Sequence, residues 1–392
     1  MSVAGVEAGV RAALERAVEL GEVGVAVAVY IGDDLVVDEW IGLTADGDGL
    51  PVQRETLFPV FSVTKAMVAT SLHLQAERGL VDYDAPVASY WPEFAQAGKG
   101  DITVGHVLCH QSGMAAMPPD ITPELVGDWE WVTSRLAAME ALHPPGEANA
   151  YHALSFGWLV GEVIRRTDAQ HRLPCQFLRD EILVPFGIDD VWLPLPSEHD
   201  HRVATLTTTG APQADFSGAR LRKAATPPSV APQPDIYNRL VMRRACNPSA
   251  GVIATARDVA RFFAILANGG VLDGQRLLSE ERVRACVEVR PHTDRVDEVA
   301  GGPTTVGIGG YWVRDPDAQS ADGADVSGLP RDAVLGSSPN VLYHTGAGGT
   351  IAFADLDQRM AVAICHNRMF GPLSVDQNPW VGVAAAVREI LP

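Results

Sequence analysis

At 392 residues the chain could hold two or three domains of ordinary size, or one large fold with an inserted lobe. A composition of 47% hydrophobic and 20% charged residues, without low-complexity tracts, excludes an intrinsically disordered chain. The formal net charge of -19 favours solubility, argues against nucleic acid or an anionic membrane as partner, and leaves the oligomeric state open.

The first segment, 1–21, has helical spacing with Glu7, Arg11, Glu15, Arg16 and Glu19 scattered through it. A secretion signal needs an uncharged apolar stretch behind a basic start, so none is expected. No apolar run reaches the length that spans a bilayer. VGVAVAVYIGDD and LVVDEWIGLTA read as two strands joined at Gly32-Asp33-Asp34, the first apolar enough to be covered on both faces. A polar stretch to about Glu55 leads to LFPVFSVTK and a long helical segment ending near Gly79. From there to about residue 245 the chain reads as helix, loop and proline. GWLVGEVIRRT has helical spacing and ends on basic residues that suit a helix C-terminus. TPPSVAPQPD (226–235) reads as loop, because its four prolines remove donors and fix φ.

Past Cys246, AGVIATARDVARFFAILANGG reads as a short strand and then an amphipathic helix from about Ala256, closed by Gly269-Gly270. VGIGGYWV (306–313), NVLYHTGAGGTIAFADL (340–356) and MAVAICHN (360–367) read as successive strands, and PWVGVAAAVREIL as a closing helix. Strands near both termini around a helical insert predict one discontinuous α/β domain. Terminal helices cover its sheet, and a mainly helical second domain sits beside it. The five cysteines (Cys109, Cys175, Cys246, Cys286, Cys365) are odd in number, far apart and without a CxxC. Neither a disulfide framework nor a zinc site is therefore expected, and core thiols in a reducing cytoplasm are the reading.

The sharpest chemical signal is Ser62-Val63-Thr64-Lys65, an S-x-x-K at a helix start. Residues i and i+3 share a helix face, so the amine can reach the hydroxyl, and a serine needs such a neighbouring base to become a nucleophile. The helix N-terminus favours a developing oxyanion. The following AMVATSLHLQA is uncharged and mostly apolar around its circumference, which predicts a buried helix and a desolvated lysine with a lowered pKa. The structural alternative is an N-capping serine with a snorkelling lysine.

Five blocks in order resemble the serine β-lactamase and penicillin-binding-protein superfamily, in particular class C β-lactamases and family VIII carboxylesterases. They are LFPVFSVTKAMVA, GLVDYDAPVASYWPEF, ITVGHVLCHQSGM, PPGEANAYHALSFGWLVGEVIRR and YHTGAGGTIAFAD, and together they span most of the chain. The resemblance implies a β-lactamase-like α/β fold, with an antiparallel sheet flanked by terminal helices and a mainly helical inserted domain. Residues 1–61 and 245–392 would form the sheet domain and 62–244 the helical one, with the active site at their interface. It further implies Ser62 as nucleophile, and Lys65 and Tyr151 as general base and acid. The amides of Ser62 and Ala347 would form the oxyanion hole. Tyr151-His152-Ala153 stands where β-lactamases carry Y-x-N, and the missing amide argues against efficient β-lactam hydrolysis. His344-Thr345-Gly346 stands where they carry K-T-G. A histidine mostly neutral at pH 7 suits a substrate without an obligatory carboxylate, although His344 could also be purely structural.

His152, Ala153, His344, Thr345 and Gly346 are thus the candidate substrate contacts, and Trp312, Trp129, Trp131 and Phe156 could supply an apolar acyl pocket or belong to the core. His106 and His110 lack a third ligand, so no metal is expected, and Gly307-Ile308-Gly309-Gly310 is too weak and too late for a dinucleotide loop, so no cofactor is expected. No G-x-S-x-G elbow is present. The expected function is hydrolysis of a small-molecule carboxylic ester through an acyl-enzyme. The alternatives are acyl transfer by the same site, a β-lactamase or D,D-peptidase, and an inactive binding protein on this scaffold.

Overall fold

The computed structural model describes residues 3–208, 219–314, 331–371 and 373–389. Helix α1 (Val3–Glu19) leads into strands β1 (Gly24–Ile31) and β2 (Asp34–Gly42), joined by a turn in which Gly32 takes a φ of 59°. The buried helix α2 (Thr64–Glu77) and helix α3 (Ser155–Thr167) follow, then α4 (Ala256–Ala267). Strands β3 (Trp312–Val313), β4 (Val341–Thr345), β5 (Ile351–Asp355) and β6 (Met360–His366) precede the closing helix α5 (Pro379–Arg388). The sheet is antiparallel in the order β2-β1-β6-β5-β4-β3, with Val25 opposite His366 and Ile351 opposite Ile364.

The sequence of β1, GVAVAVYI, explains how the sheet is covered. Side chains alternate between faces, so valines point one way and alanines the other. Val25, Val27 and Val29 join Val10, Leu14, Trp380 and Val383 in a core beneath α1 and α5. Ala26, Ala28, Ala352, Ala361 and Ala363 line the opposite face with Val259, Phe262 and Phe263 of α4. Small residues on that face admit the helix with its bulky phenylalanines. Two buried hydroxyls of α2 are satisfied within the helix: Thr70 and Ser71 return theirs to the Ala66 and Met67 carbonyls at 2.7 and 3.0 Å.

The structure differs from expectation in four places. The run 340–356 is two strands, separated by a turn in which Gly348 and Gly349 have φ of 88° and 122°. Of 306–313 only Trp312–Val313 is strand, because Gly310 turns the chain at φ 81° and a Cβ on Gly307 would lie 2.2 Å from the Cys286 carbonyl oxygen. Cys175 and Cys246 form a disulfide with Cα atoms 6.0 Å apart, which corrects the expectation of five free thiols. The reduced-thiol premise for a cytoplasmic location fails for this pair, while Cys109, Cys286 and Cys365 are buried and free. Pro234–Tyr237 forms a short helix that begins at the end of the stretch 226–235 expected to be loop, and Ile390 and Leu391 of the expected closing helix lie outside the described residues. Among the described residues no helix is long and apolar enough to cross a membrane.

Candidate active site

The chain before Ser62 is held from both sides. Phe58–Pro59 pairs with Ile253–Ala254, the Val60 amide donates to the Val252 carbonyl at 3.0 Å, and the Val252 amide donates to Thr64 Oγ1 at 3.0 Å. Between these clamps Phe61 takes a φ of 48°, a left-handed value uncommon for a bulky residue, and Phe61–Val63 forms a single 3-10 turn ahead of α2. Its ring packs on Tyr237 at 5.0 Å. Ser62 is thereby presented partly exposed in front of a buried helix.

Lys65 is fully buried and its amine donates to Ser62 Oγ at 2.9 Å and to the Ser249 carbonyl at 2.9 Å. Burial holds its pKa well below the usual 10.5. The same Nζ lies 5.1 Å from the centroid of the Tyr151 ring, and Tyr151 and Ser62 line one cleft. The three expected partners therefore share one location. Ser249 was not visible in the sequence as a contributor. It is placed by the Asn247 side chain, which accepts from its amide at 3.1 Å, and its hydroxyl accepts from the Gly157 amide at 2.7 Å.

Tyr151 is anchored through its backbone by Asp297, a residue with no recognisable motif around it. The fully buried Asp297 carboxylate accepts from the amides of Tyr151, Val299 and Ala300, each at 3.0 Å, and from Thr304 Oγ1 at 3.2 Å. The Arg290 guanidinium stands 3.8 Å away, also buried. Since Tyr151, Val299 and Ala300 all line the cleft, one carboxylate organises two parts of its wall.

Around this core lie three buried histidines. The His152 amide donates to His110 Nδ1 at 3.1 Å. His152 Nδ1 lies 2.6 Å from the Ala150 carbonyl and must carry the proton there, so Nε2 accepts from Ser112 Oγ at 2.6 Å. Burial pushes its pKa down to about 3, so this ring is neutral. Trp312 Nε1 donates to His344 Nε2 at 3.1 Å, which leaves His344 Nδ1 to donate to the Thr345 carbonyl at 2.9 Å. Burial, reinforced by the nearby Lys65 charge, holds His344 well below the usual 6.5. His152 and His344 are fully buried and absent from the cleft lining, whereas Ala153, Thr345, Gly346 and Ala347 line it.

The cleft encloses about 470 Å³. Trp312, Trp129, Trp131 and Phe156 do not line it, so of the two readings it is the core that the structure bears out. Trp129 is turned into the helical region, where its Nε1 donates to Glu162 at 2.7 Å, and Phe156 is fully buried. The apolar lining comes instead from Phe61, Leu154, Val299, Met369 and Phe370, brought together from segments far apart in sequence. Among the described residues neither the Ser62 nor the Ala347 amide donates to a backbone carbonyl. Glycine at 346 is required by proximity: a Cβ there would lie 2.6 Å from the Val60 carbonyl oxygen.

The Beta-lactamase family model matches residues 10–386. The chain is 32% identical over 382 residues to Esterase/beta-lactamase LipL of Mycobacterium tuberculosis, covering 93% of this chain and 82% of the relative. Its structure is similar to that of a family VIII carboxylesterase, with a TM-score of 0.84, 30% identity and 98% of both chains covered. A penicillin-binding protein homologue from Caulobacter crescentus gives a TM-score of 0.84 and 32% identity, with 98% of both chains covered.

Proposed function

The chain belongs to the beta-lactamase family, and we propose that within it this protein is a serine carboxylesterase acting through an acyl-enzyme on Ser62. The observation that carries the reading is the 2.9 Å contact between Ser62 Oγ and an amine that burial keeps available in its neutral form. The relatives named as an esterase and a family VIII carboxylesterase support ester hydrolysis, at 32% and 30% identity.

In this mechanism Ser62 Oγ attacks the ester carbonyl carbon while its proton passes to the Lys65–Tyr151 pair. The carbonyl oxygen becomes an oxyanion between the amides of Ser62 and Ala347, neither of which is consumed by a backbone carbonyl among the described residues. Collapse breaks the carbonyl–alkoxy bond, and the alcohol leaves with a proton from Tyr151. Water then adds to the acyl-serine while one of its protons passes to the same groups, the carbonyl–Oγ bond breaks with that proton returned to Ser62 Oγ, and the carboxylic acid is released. Residues 62–244 would form a lobe of their own against 1–61 and 245–392, a division supported by the sheet, none of whose six strands comes from 62–244.

A β-lactamase reading draws on the name of the 32% identical relative. Ala153 in the cleft and the buried, doubly bonded His344 weigh against it. Ser62→Ala is expected to abolish turnover of a p-nitrophenyl ester and to leave the fold intact, and retention of even a tenth of the rate would sink the assignment. Nitrocefin turnover tests the β-lactamase reading, added alcohol or amine acceptors test acyl transfer, and a fluorophosphonate adduct on Ser62 separates an enzyme from an inactive binder.

A further inference from the structure

The charged side chains of the cleft take no part in the chemistry above. Among the described residues lining it, Arg222 and Lys223 are the charged ones, and none of those residues is an Asp or Glu. The whole chain carries 49 acidic against 30 basic residues, so the described lining is opposite in sign to the molecule. Strand β4 contributes no charge there, because His344 is buried and neutral with both ring nitrogens engaged.

The two cations stand on a held scaffold. They open the short helix Arg222–Ala225, whose flanking Leu221 and terminal Ala225 are buried in the core beneath the sheet. The Leu221 amide donates to the Glu298 carbonyl at 2.8 Å, and the Ala224 carbonyl accepts from Met117 at 2.9 Å. The Arg222 carbonyl accepts both the amide and the hydroxyl of Thr226 at 2.8 Å. Neighbouring Arg220 is exposed, lies outside the cleft and pairs with the Glu298 carboxylate at 2.7 Å. Arg222 itself is partly withdrawn from solvent and stays cationic, since a guanidinium does not deprotonate in proteins. A partly desolvated cation in an apolar wall attracts an anion more strongly than one in bulk water does.

We propose that Arg222 and Lys223 form a carboxylate-recognition subsite, so that the preferred substrates are esters carrying a free carboxylate several bonds from the scissile bond. The proposal rests on the esterase reading of the same cleft. The guanidinium can take a carboxylate with two parallel hydrogen bonds and the ammonium adds a mobile point charge, while Leu154, Val299, Met369 and Phe370 offer apolar surface to the methylene spacer.

The test compares the mono-4-nitrophenyl ester of adipic acid with 4-nitrophenyl hexanoate, a neutral ester of equal chain length. A second pair, 4-carboxyphenyl and phenyl hexanoate, places the anion on the alcohol side. In one of these pairs the wild type is expected to favour the anionic member in kcat/KM, with the preference shrinking as salt is raised. In Arg222→Gln or Lys223→Gln the anionic-to-neutral ratio is expected to fall about tenfold or more, and Arg222→Glu should invert it. Equal kcat/KM for both members of both pairs in the wild type overturns the proposal. So does a ratio left unchanged by both glutamine substitutions, or a proportional loss on anionic and neutral esters, which marks a structural role. Failure of the esterase reading looks different: no turnover of the neutral esters and no fluorophosphonate adduct on Ser62.

Discussion

Replacing Lys65 by methionine separates the chemistry of the buried amine from its packing. Methionine is unbranched, of similar length and apolar, so it can fill the space without the charge. The substitution strips the Ser249 carbonyl of a donor now 2.9 Å away, at a cost of about 1–3 kcal/mol. It also relieves the desolvation of a fully buried polar group, which mutational data place at roughly 1–3 kcal/mol. These two effects oppose each other, so the melting temperature should move by only a few degrees. Turnover should fall by about 10²–10⁴, the span attributed to a general base.

The pH dependence of the same variant follows from the sign of the shift. The folded pKa of Lys65 lies below the usual 10.5, so between the two values the unfolded chain binds a proton that the folded chain does not. Wild-type stability therefore rises with pH across that window, and the burial penalty is felt in full below it. Lys65→Met removes this slope, so its stability relative to wild type improves as pH falls. Wild-type kcat/KM should climb with pH as the amine deprotonates, a limb the variant lacks. Initial rates on p-nitrophenyl butyrate and thermal unfolding followed by fluorescence, from mildly acid to about pH 10, measure both effects. A variant that keeps more than a tenth of the activity, or whose residual rate keeps the same rising limb, would refute the assignment of Lys65 as base.

Asp297→Asn puts an amide donor among groups that already donate to this carboxylate, and it breaks the buried pairing with Arg290 at 3.8 Å. The expected loss is about 3–5 kcal/mol by denaturant unfolding, with kcat/KM reduced at least tenfold under conditions where the variant remains folded. Gly346→Ala drives a Cβ to 2.6 Å from the Val60 carbonyl oxygen, pushing the end of β4 away from the serine turn. Activity should drop by about two orders of magnitude while a fluorophosphonate still labels Ser62, more slowly than in the wild type. Alkylation of the denatured, unreduced protein should modify the three free cysteines, and reduction should raise the count to five, both read by intact mass.

The parts of this site that could be read from the sequence are those that local spacing defines. A serine and a lysine three apart at the head of an apolar helix predict their own contact, and that contact is present at 2.9 Å. Tyr151 was visible only through the order of blocks around it. What stayed hidden depends on separation. Asp297 reaches the Tyr151 amide across 146 residues, and Ser249 meets Lys65 across 184. No window of sequence contains either pair. His344 drew notice as a charge-changing departure from a lysine motif, but its tautomer is decided by Trp312, 32 residues earlier. The apolar cleft lining stayed hidden for a similar reason. Large aromatics signal burial, and burial here meant the core, while the cleft took Met369 and Phe370 from beyond the last long strand.

The pairing of β1 with β6 also shapes how the protein must come into being. Asn367 accepts from the Gly24 amide across 343 residues, and the strands beside that contact supply the centre of the sheet. At synthesis rates of roughly 5–20 residues per second, the N-terminal hairpin would wait about 17–70 s for its second neighbour. During that time one edge of a fully apolar strand has no permanent mate, a hazard for association between nascent chains. Truncations that stop short of residue 360 should therefore precipitate rather than yield a smaller soluble fragment.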